Sequence, residues 1–175
     1  ADFTPPEIDP AIDEALQAVA SRATDKSAAA QMLVQRAGNA SGPQLAAMLD
    51  ILSMLGGDEA LAAVVKFTGS GNAVTREAAI RALANWQEFP ATKPLLDIAA
   101  NTQTSDVLCV LSLQGVNRRA KAAEKESGAD RVAAMQAAMK AARRDQERKL
   151  AVSSLGAIAD RKAADALLPL LKDPQ

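Results

Sequence analysis

The sequence contains no histidine and no tyrosine, and Cys109 is the single cysteine among its 175 residues. Without histidine, the chain has no Ser–His or Cys–His nucleophile pair and no imidazole ligand for a metal. One cysteine allows no disulfide within the chain. No run approaches the roughly 20 consecutive apolar residues of a membrane-spanning helix. We therefore expect no catalytic residue, no cofactor, no metal site and no membrane span.

Aromatic residues make up only 2% of the sequence, although 49% of it is hydrophobic. Alanine and leucine supply most of the apolar side chains. Alanine has the highest helix propensity, whereas strands favour Val, Ile, Tyr and Thr. The composition therefore predicts an all-α protein rather than a β-sandwich or barrel. Cys109 and the single tryptophan, Trp86, are expected in its core.

Helix start and stop signals recur along the chain. Asp9 followed by Pro10 is typical of a helix start. Gly42-Pro43 opens another helix, and Gly56-Gly57 ends it. Read in this way, the sequence predicts about ten helices in antiparallel pairs, with one helical pair in residues 1–41 and the others in residues 42–175.

Internal self-similarity indicates a repeat of 30 to 40 residues. A shift of 31 residues, followed by a further shift of 72, aligns apolar positions in three copies. The aligned sets are Leu52, Leu83 and Leu155; Leu55, Trp86 and Ile158; and Ala60, Ala91 and Ala163. A pair of helices that cannot bury its apolar face alone must stack on its neighbours.

The run Val107–Leu113 is apolar enough to be either a buried strand or a buried helix. A shift of 72 residues corresponds to two repeats, so one further unit must lie between the second and third copies. Leu113 and Val116 supply the first helix of that unit. The repeat therefore predicts that this run is helical.

Two segments, residues 72–84 and 145–156, resemble the first helix of a HEAT repeat. The first begins with Asn72, followed by Val74 and an Arg-x-x-Ala-x-x-Ala-Leu rhythm from Arg76. Leu167–Pro174 resembles the end of a second helix. The resemblance covers residues 42–175 and departs from the family pattern at the insertion 121–130 and at Pro90.

The resemblance implies an α-α superhelix, a HEAT-like (armadillo-like) repeat solenoid. Residues 1–41 have no clear match and would form a cap or a degenerate repeat. The Ala-rich style is similar to HEAT arrays in larger, envelope-associated bacterial proteins, which favours the bacterial envelope or periplasm over the cytoplasm. Because a solenoid needs a polar terminal repeat, the ending Asp173–Gln175 predicts truncation at the C-terminus and a longer parent protein.

Charge is divided unevenly along a chain whose formal net charge is -1. Residues 1–75 hold four basic and nine acidic side chains, whereas residues 76–175 hold sixteen and twelve. Ten cations lie between positions 118 and 149, and six of them are candidate partner-binding residues: Lys140, Arg143, Arg144, Arg131, Arg118 and Arg119. The spacing of Lys140, Arg143 and Arg144 predicts a shared face on one helix. Alternatively, the cluster is solvated and complements a helix C-terminus.

These observations leave two functional hypotheses ahead of an enzyme. The first is a non-enzymatic scaffold module of a larger protein that binds a protein partner or neighbouring domains, as HEAT arrays mostly do. The second is a module that binds nucleic acid or an acidic partner through the basic cluster at 118–149. Base stacking is not expected, since no aromatic side chain lies among these cations.

Overall fold

A computed structural model describes residues 25–123 and 125–172 of the chain. Every regular element in this part of the chain is a helix, which confirms the all-α prediction. Nine α-helices lie within the described residues. The predicted helix that begins near Asp9 lies outside them. The chain divides into two compact units, Ala1–Gln87 and Glu88–Gln175.

The described part of the first unit contains four α-helices. They are α1 (Lys26–Ala37), α2 (Gly42–Leu55), α3 (Asp58–Thr68) and α4 (Ala73–Asn85). Each helix packs against the next in sequence, and the pairs α1–α3 and α2–α4 are also in contact. Two layers of alternate helices result. The predicted division between residues 41 and 42 stays a prediction.

The second unit repeats this arrangement. It contains a 3-10 turn (Phe89–Ala91), α5 (Thr92–Ala100), α6 (Asp106–Ala122), α7 (Gly128–Ala141), α8 (Asp145–Gly156), α9 (Arg161–Leu167) and a final 3-10 turn (Leu168–Lys172). Consecutive helices pack together, α5 and α9 both contact α7, and α6 contacts α8. We call α5, α7 and α9 the second-helix layer of this unit. The run Val107–Leu113 lies in α6, as the repeat predicts.

Side-chain caps begin several of these helices. The Asn72 Oδ1 atom accepts hydrogen bonds from the backbone N–H groups of Val74 and Thr75, at 2.9 and 3.2 Å. The Asp160 Oδ1 atom accepts one from the N–H of Lys162 at 2.7 Å. Each cap satisfies N–H groups that the first helical turn leaves without a partner. These polar residues therefore mark where α4 and α9 begin.

The turn from α2 to α3 needs two glycines. Gly56 and Gly57 have φ angles of 74° and 89°, in the region that side chains with a Cβ rarely enter. Leucine-rich α2 can therefore stop at Leu55, and α3 can begin at Asp58. The sequence predicted the helix end at this glycine pair correctly.

The aligned repeat positions form the core. Leu52, Leu83 and Leu155 are fully buried. The residues of the other two aligned sets are at most 7% exposed: Leu55, Trp86, Ile158, Ala60, Ala91 and Ala163. Cys109 is also buried. Burial at these positions agrees with the aligned pattern, because side chains on the apolar face of an amphipathic helix point into the core. The predicted core positions of Trp86 and Cys109 are confirmed.

Several large apolar residues are exposed. Met32 on α1 is 60% exposed, Leu168 is 58% exposed and Leu170 is 38% exposed. Val107, in the run predicted to be fully buried, is 71% exposed. Val107 is exposed because only about half of the surface of an amphipathic helix can face a core. Leu168 and Leu170 lie in a 3-10 turn, which has three residues per turn and therefore does not continue the apolar face of α9.

Candidate functional site

The three candidate residues Lys140, Arg143 and Arg144 do not share a helix. Helix α7 ends at Ala141, Ala142 has extended backbone angles, and Arg144 is already the N-cap residue of α8. Lys140 therefore lies on the last turn of α7, whereas the two arginines lie in the connection to α8. The prediction of one shared helical face is wrong, because the helix stops before the spacing rule can apply to the arginines.

Arg143 is bound by its own chain. Its guanidinium donates hydrogen bonds to the carbonyl oxygens of Asn101 and Thr104, at 2.9 and 2.7 Å, and to the Asp106 carboxylate at 2.8 Å. Asn101 is the C-cap residue of α5, and Asp106 is the first residue of α6. Arg143 thus holds the α5–α6 connection against the α7–α8 connection. Its hydrogen bonds support a structural role.

Arg144 makes a two-pronged ion pair. Its guanidinium donates to both carboxylate oxygens of Glu147, at 2.6 and 3.0 Å. The Glu147 side chain is only 6% exposed. The hydrogen bonds from Arg144, opposed by burial, lower the pKa of Glu147 below its ordinary value. The same pair raises the pKa of Arg144. The paired guanidinium supplies the positive partner that a buried carboxylate requires.

Arg131 on α7 binds the end of α6, where the candidates Arg118 and Arg119 lie. Arg131 donates from Nε to the Ala120 carbonyl oxygen at 2.6 Å and from Nη2 to that of Lys121 at 3.3 Å. It therefore binds the carbonyls left open at a helix C-terminus. Arg119 is 4% exposed, and burial, followed by the charge of Arg118, lowers its pKa. Arg118 is exposed on the same helix.

Lys140 differs from the candidate arginines. Its side chain is exposed, and it forms no hydrogen bond or ion pair with any residue that the structure describes. Lys140 lines two grooves of the second unit. The smaller groove, of about 520 Å³, lies between α5 and α7 and is lined by Leu96, Ala137 and Arg143 among others. Lys140 is therefore the lining residue that the two grooves have in common.

The larger groove has a volume of about 820 Å³, and we call it the α7–α9 groove. Its residues come from α7, α8, α9 and the final 3-10 turn: Gln136, Met139, Lys140, Asp145, Arg148, Lys149, Val152, Ser153, Ala166 and Leu170. Apolar and basic groups thus line one surface. By comparison, a depression of about 310 Å³ at the α1–α2 turn has Arg36 as its only charged lining residue.

Three basic residues line the α7–α9 groove: Lys140, Arg148 and Lys149. Arg148 pairs with Asp145 at 3.1 Å, so those two charges offset each other. Lys149, like Lys140, is exposed and without an ion-pair partner in the described part of the chain. Arg148 and Lys149 are among the ten cations between positions 118 and 149. The apolar residues that lie beside them in the groove were not predicted from the sequence. The signal was the spacing of Lys149, Val152 and Ser153, which puts them on one face of α8.

Cys109 is placed where its thiol is inert. Its side chain is 1% exposed, and burial raises the pKa of the thiol above its ordinary value. The thiolate is the reactive form, and a buried apolar position disfavours it. Its sulfur lies 3.6 Å from the Ala99 carbonyl oxygen, as a weak donor would. The geometry is that of a small core residue.

Within residues 25–123 and 125–172, no three His, Cys, Asp or Glu side chains come together as potential metal ligands. In the same residues, none of the helices combines the length and the apolar character needed to span a bilayer. No protein-family model matches the sequence, and no curated protein is similar enough to count as a relative.

Proposed function

We propose that this chain is a HEAT-like repeat solenoid that acts as a protein-interaction scaffold and binds its partner on the second-helix layer. The observation that carries the proposal is a pair of grooves that share Lys140. One lies between α5 and α7, and the other is lined by α7, α9 and the neighbouring helix α8. Stacked helical repeats commonly use such extended concave surfaces for binding. The alternate-helix contacts inside each unit support this repeat architecture.

The second hypothesis, nucleic-acid binding through residues 118–149, has less support. Phosphate binding requires cations that are free to contact the backbone of the nucleic acid. Arg131 and Arg143 donate to carbonyl oxygens of the chain, and Arg144 is paired with Glu147. Forming contacts to phosphate would break hydrogen bonds that already stabilise the fold. The free lysines fit a protein partner with a few carboxylates better than a polyphosphate chain.

Site-specific photo-crosslinking in source cells tests the scaffold proposal. A photoreactive amino acid would replace Gln136 on α7 or Ala100 on α5, both exposed residues of the second-helix layer. The matched control replaces Gln114, an exposed residue of α6 in the other layer. We expect a discrete protein adduct at Gln136 and Ala100 and little at Gln114.

Two results would contradict the proposal. Adducts formed equally at all three positions would mean that no layer is preferred. Adducts that nuclease treatment removes would indicate nucleic acid instead, and would support the second hypothesis.

A further inference from the structure

We infer that the α7–α9 groove binds an acidic amphipathic segment of a protein partner. The inference rests on the proposed function and specifies the chemistry of the partner. Apolar contact, charge and the extent of the surface each point to such a segment.

Apolar side chains form one part of the groove. Met139 from α7, Val152 from α8 and Ala166 from α9 are all partly exposed there, and Leu170 is 38% exposed. Three helices thus present apolar surface to the same space. Burying such surface is favourable at about 25 cal/mol per Å². An occupant therefore gains by placing an apolar side chain among these residues.

The charge of the α7–α9 groove determines which residues can flank the apolar anchor of the bound segment. Lys140 on α7 and Lys149 on α8 are exposed, and each lacks an ion-pair partner among the described residues. The Arg148–Asp145 pair, at 3.1 Å, contributes no net charge. The two lysines therefore leave the groove with a positive potential. Carboxylates beside an apolar anchor would complement it, and like charges would be rejected.

The extent of the surface favours a peptide segment over a compact small molecule. The α7–α9 groove has a volume of about 820 Å³, and it shares the lining residue Lys140 with the groove of about 520 Å³ between α5 and α7. The two grooves together are lined by residues of α5, α7, α8, α9 and the connections beside them. An amphipathic helix that lays an apolar face into a groove uses anchors spaced over two turns. Such a segment can fill the larger groove and extend toward the smaller one.

A designed peptide tests this inference with the full chain. The probe is a fluorescein-labelled helical peptide of about 14 residues, with Leu at i, i+4 and i+7 and Glu on the flanking positions. We expect saturable binding by fluorescence anisotropy. A peptide with Gln in place of every Glu should bind about tenfold more weakly.

Charge-reversal variants locate the site. Lys140→Glu combined with Lys149→Glu should weaken binding of the probe by about tenfold or more, because two attractions become repulsions. Lys121→Glu combined with Lys125→Glu is the matched control, because it changes net charge equally and neither lysine lines the groove. The control should bind within about twofold of the wild type. Met139→Gln should also weaken binding, by about fivefold, since it removes apolar surface at similar length. Circular dichroism checks that each variant is folded.

Several outcomes overturn the inference. One is no probe binding at about millimolar concentration, which corresponds to a negligible affinity. Another is an equal loss in the Lys121/Lys125 control, which would reveal attraction to net charge alone. A third is a duplex DNA that displaces the probe and itself depends on Lys140 and Lys149. If the probe fails but Gln136 and Ala100 still crosslink to a protein, this inference falls while the proposed scaffold function stands.

Discussion

The Arg143 guanidinium lies 2.8 Å from the carboxylate of Asp106, a residue 37 positions earlier in the chain. The contact joins the end of the α7 region to the start of α6, and the carbonyls of Asn101 and Thr104 complete the set of acceptors. A residue that sequence patterns assign to a basic binding surface is thereby part of the framework. Two other candidate residues differ from each other in this respect. Lys140 is free to contact a partner, whereas Arg144 is paired with Glu147.

Arg143→Ala should destabilise the second unit. Three hydrogen bonds to a charged donor are lost, and the side chain is only 30% exposed. We expect a loss of about 1–3 kcal/mol in the free energy of unfolding, measured by urea denaturation. Arg148→Ala is the control, because its pair with Asp145 is largely exposed and should contribute less than about 1 kcal/mol. An equal loss in both variants would show that Arg143 has no special structural role.

Gly128→Ala should destabilise the protein, although alanine normally favours a helix by about 1 kcal/mol. An added Cβ would clash with Oδ2 of Asp160 and would lie 2.7 Å from its Cβ, so the chain would have to shift. We expect a cost of about 1–3 kcal/mol in urea denaturation, in the range for overpacking.

The control for Gly128→Ala is the helical residue Gly156. A Cβ at Gly156 would meet Leu167 at an ordinary 3.9 Å, so Gly156→Ala should be neutral or stabilising. Asp160→Gly should abolish most of the penalty at Gly128 in a double-mutant cycle, since it removes the opposing side chain. A penalty that persists in that background would rule out the predicted clash.

The Arg144–Glu147 pair should give stability that depends on pH. Because the pKa of Glu147 is lowered on folding from a value near 4.5, the folded state favours the carboxylate. The contribution is therefore fully present above the unfolded pKa, and it is lost as the pH falls through the folded pKa.

Glu147→Gln tests this pH dependence. The variant should be less stable than the wild type at pH 7, and the difference should shrink as the pH falls below about 4.5. Urea denaturation at several pH values measures it, and a cycle with Arg144→Gln isolates the pair. A difference that stays constant with pH would mean that Glu147 contributes by packing and not by its charge.

Cys109 should be protected from thiol reagents in the folded protein. It is 1% exposed, and burial raises the pKa of its thiol. We expect negligible reaction with Ellman's reagent under native conditions and one thiol per chain in urea. The rate in the native state should track global unfolding, and Gly128→Ala should increase it. Rapid labelling of the folded wild type would contradict its placement in the core.

The sequence by itself determined the helical class and where several of the helices begin and end. Alanine and leucine content, capping residues such as Asn72 and the glycine pair at Gly56 are local signals, and each acts over one turn of chain. The aligned positions Leu52, Leu83 and Leu155 are all buried, as the aligned apolar pattern predicts. At these positions the local helix propensity and the spacing of the apolar residues agree. The sequence pattern alone is therefore sufficient to predict their burial.

Only the tertiary structure decided which cations are available. Arg143 is engaged because Asn101, Thr104 and Asp106 come close to it in space, and nothing in the neighbouring sequence indicates this. The end of α7 at Ala141 likewise separates the arginines from Lys140. The α7–α9 groove joins Met139, Val152 and Leu170 from three elements. Long-range hydrogen bonds and packing between helices set these arrangements, and a sequence pattern reports only spacing within one element.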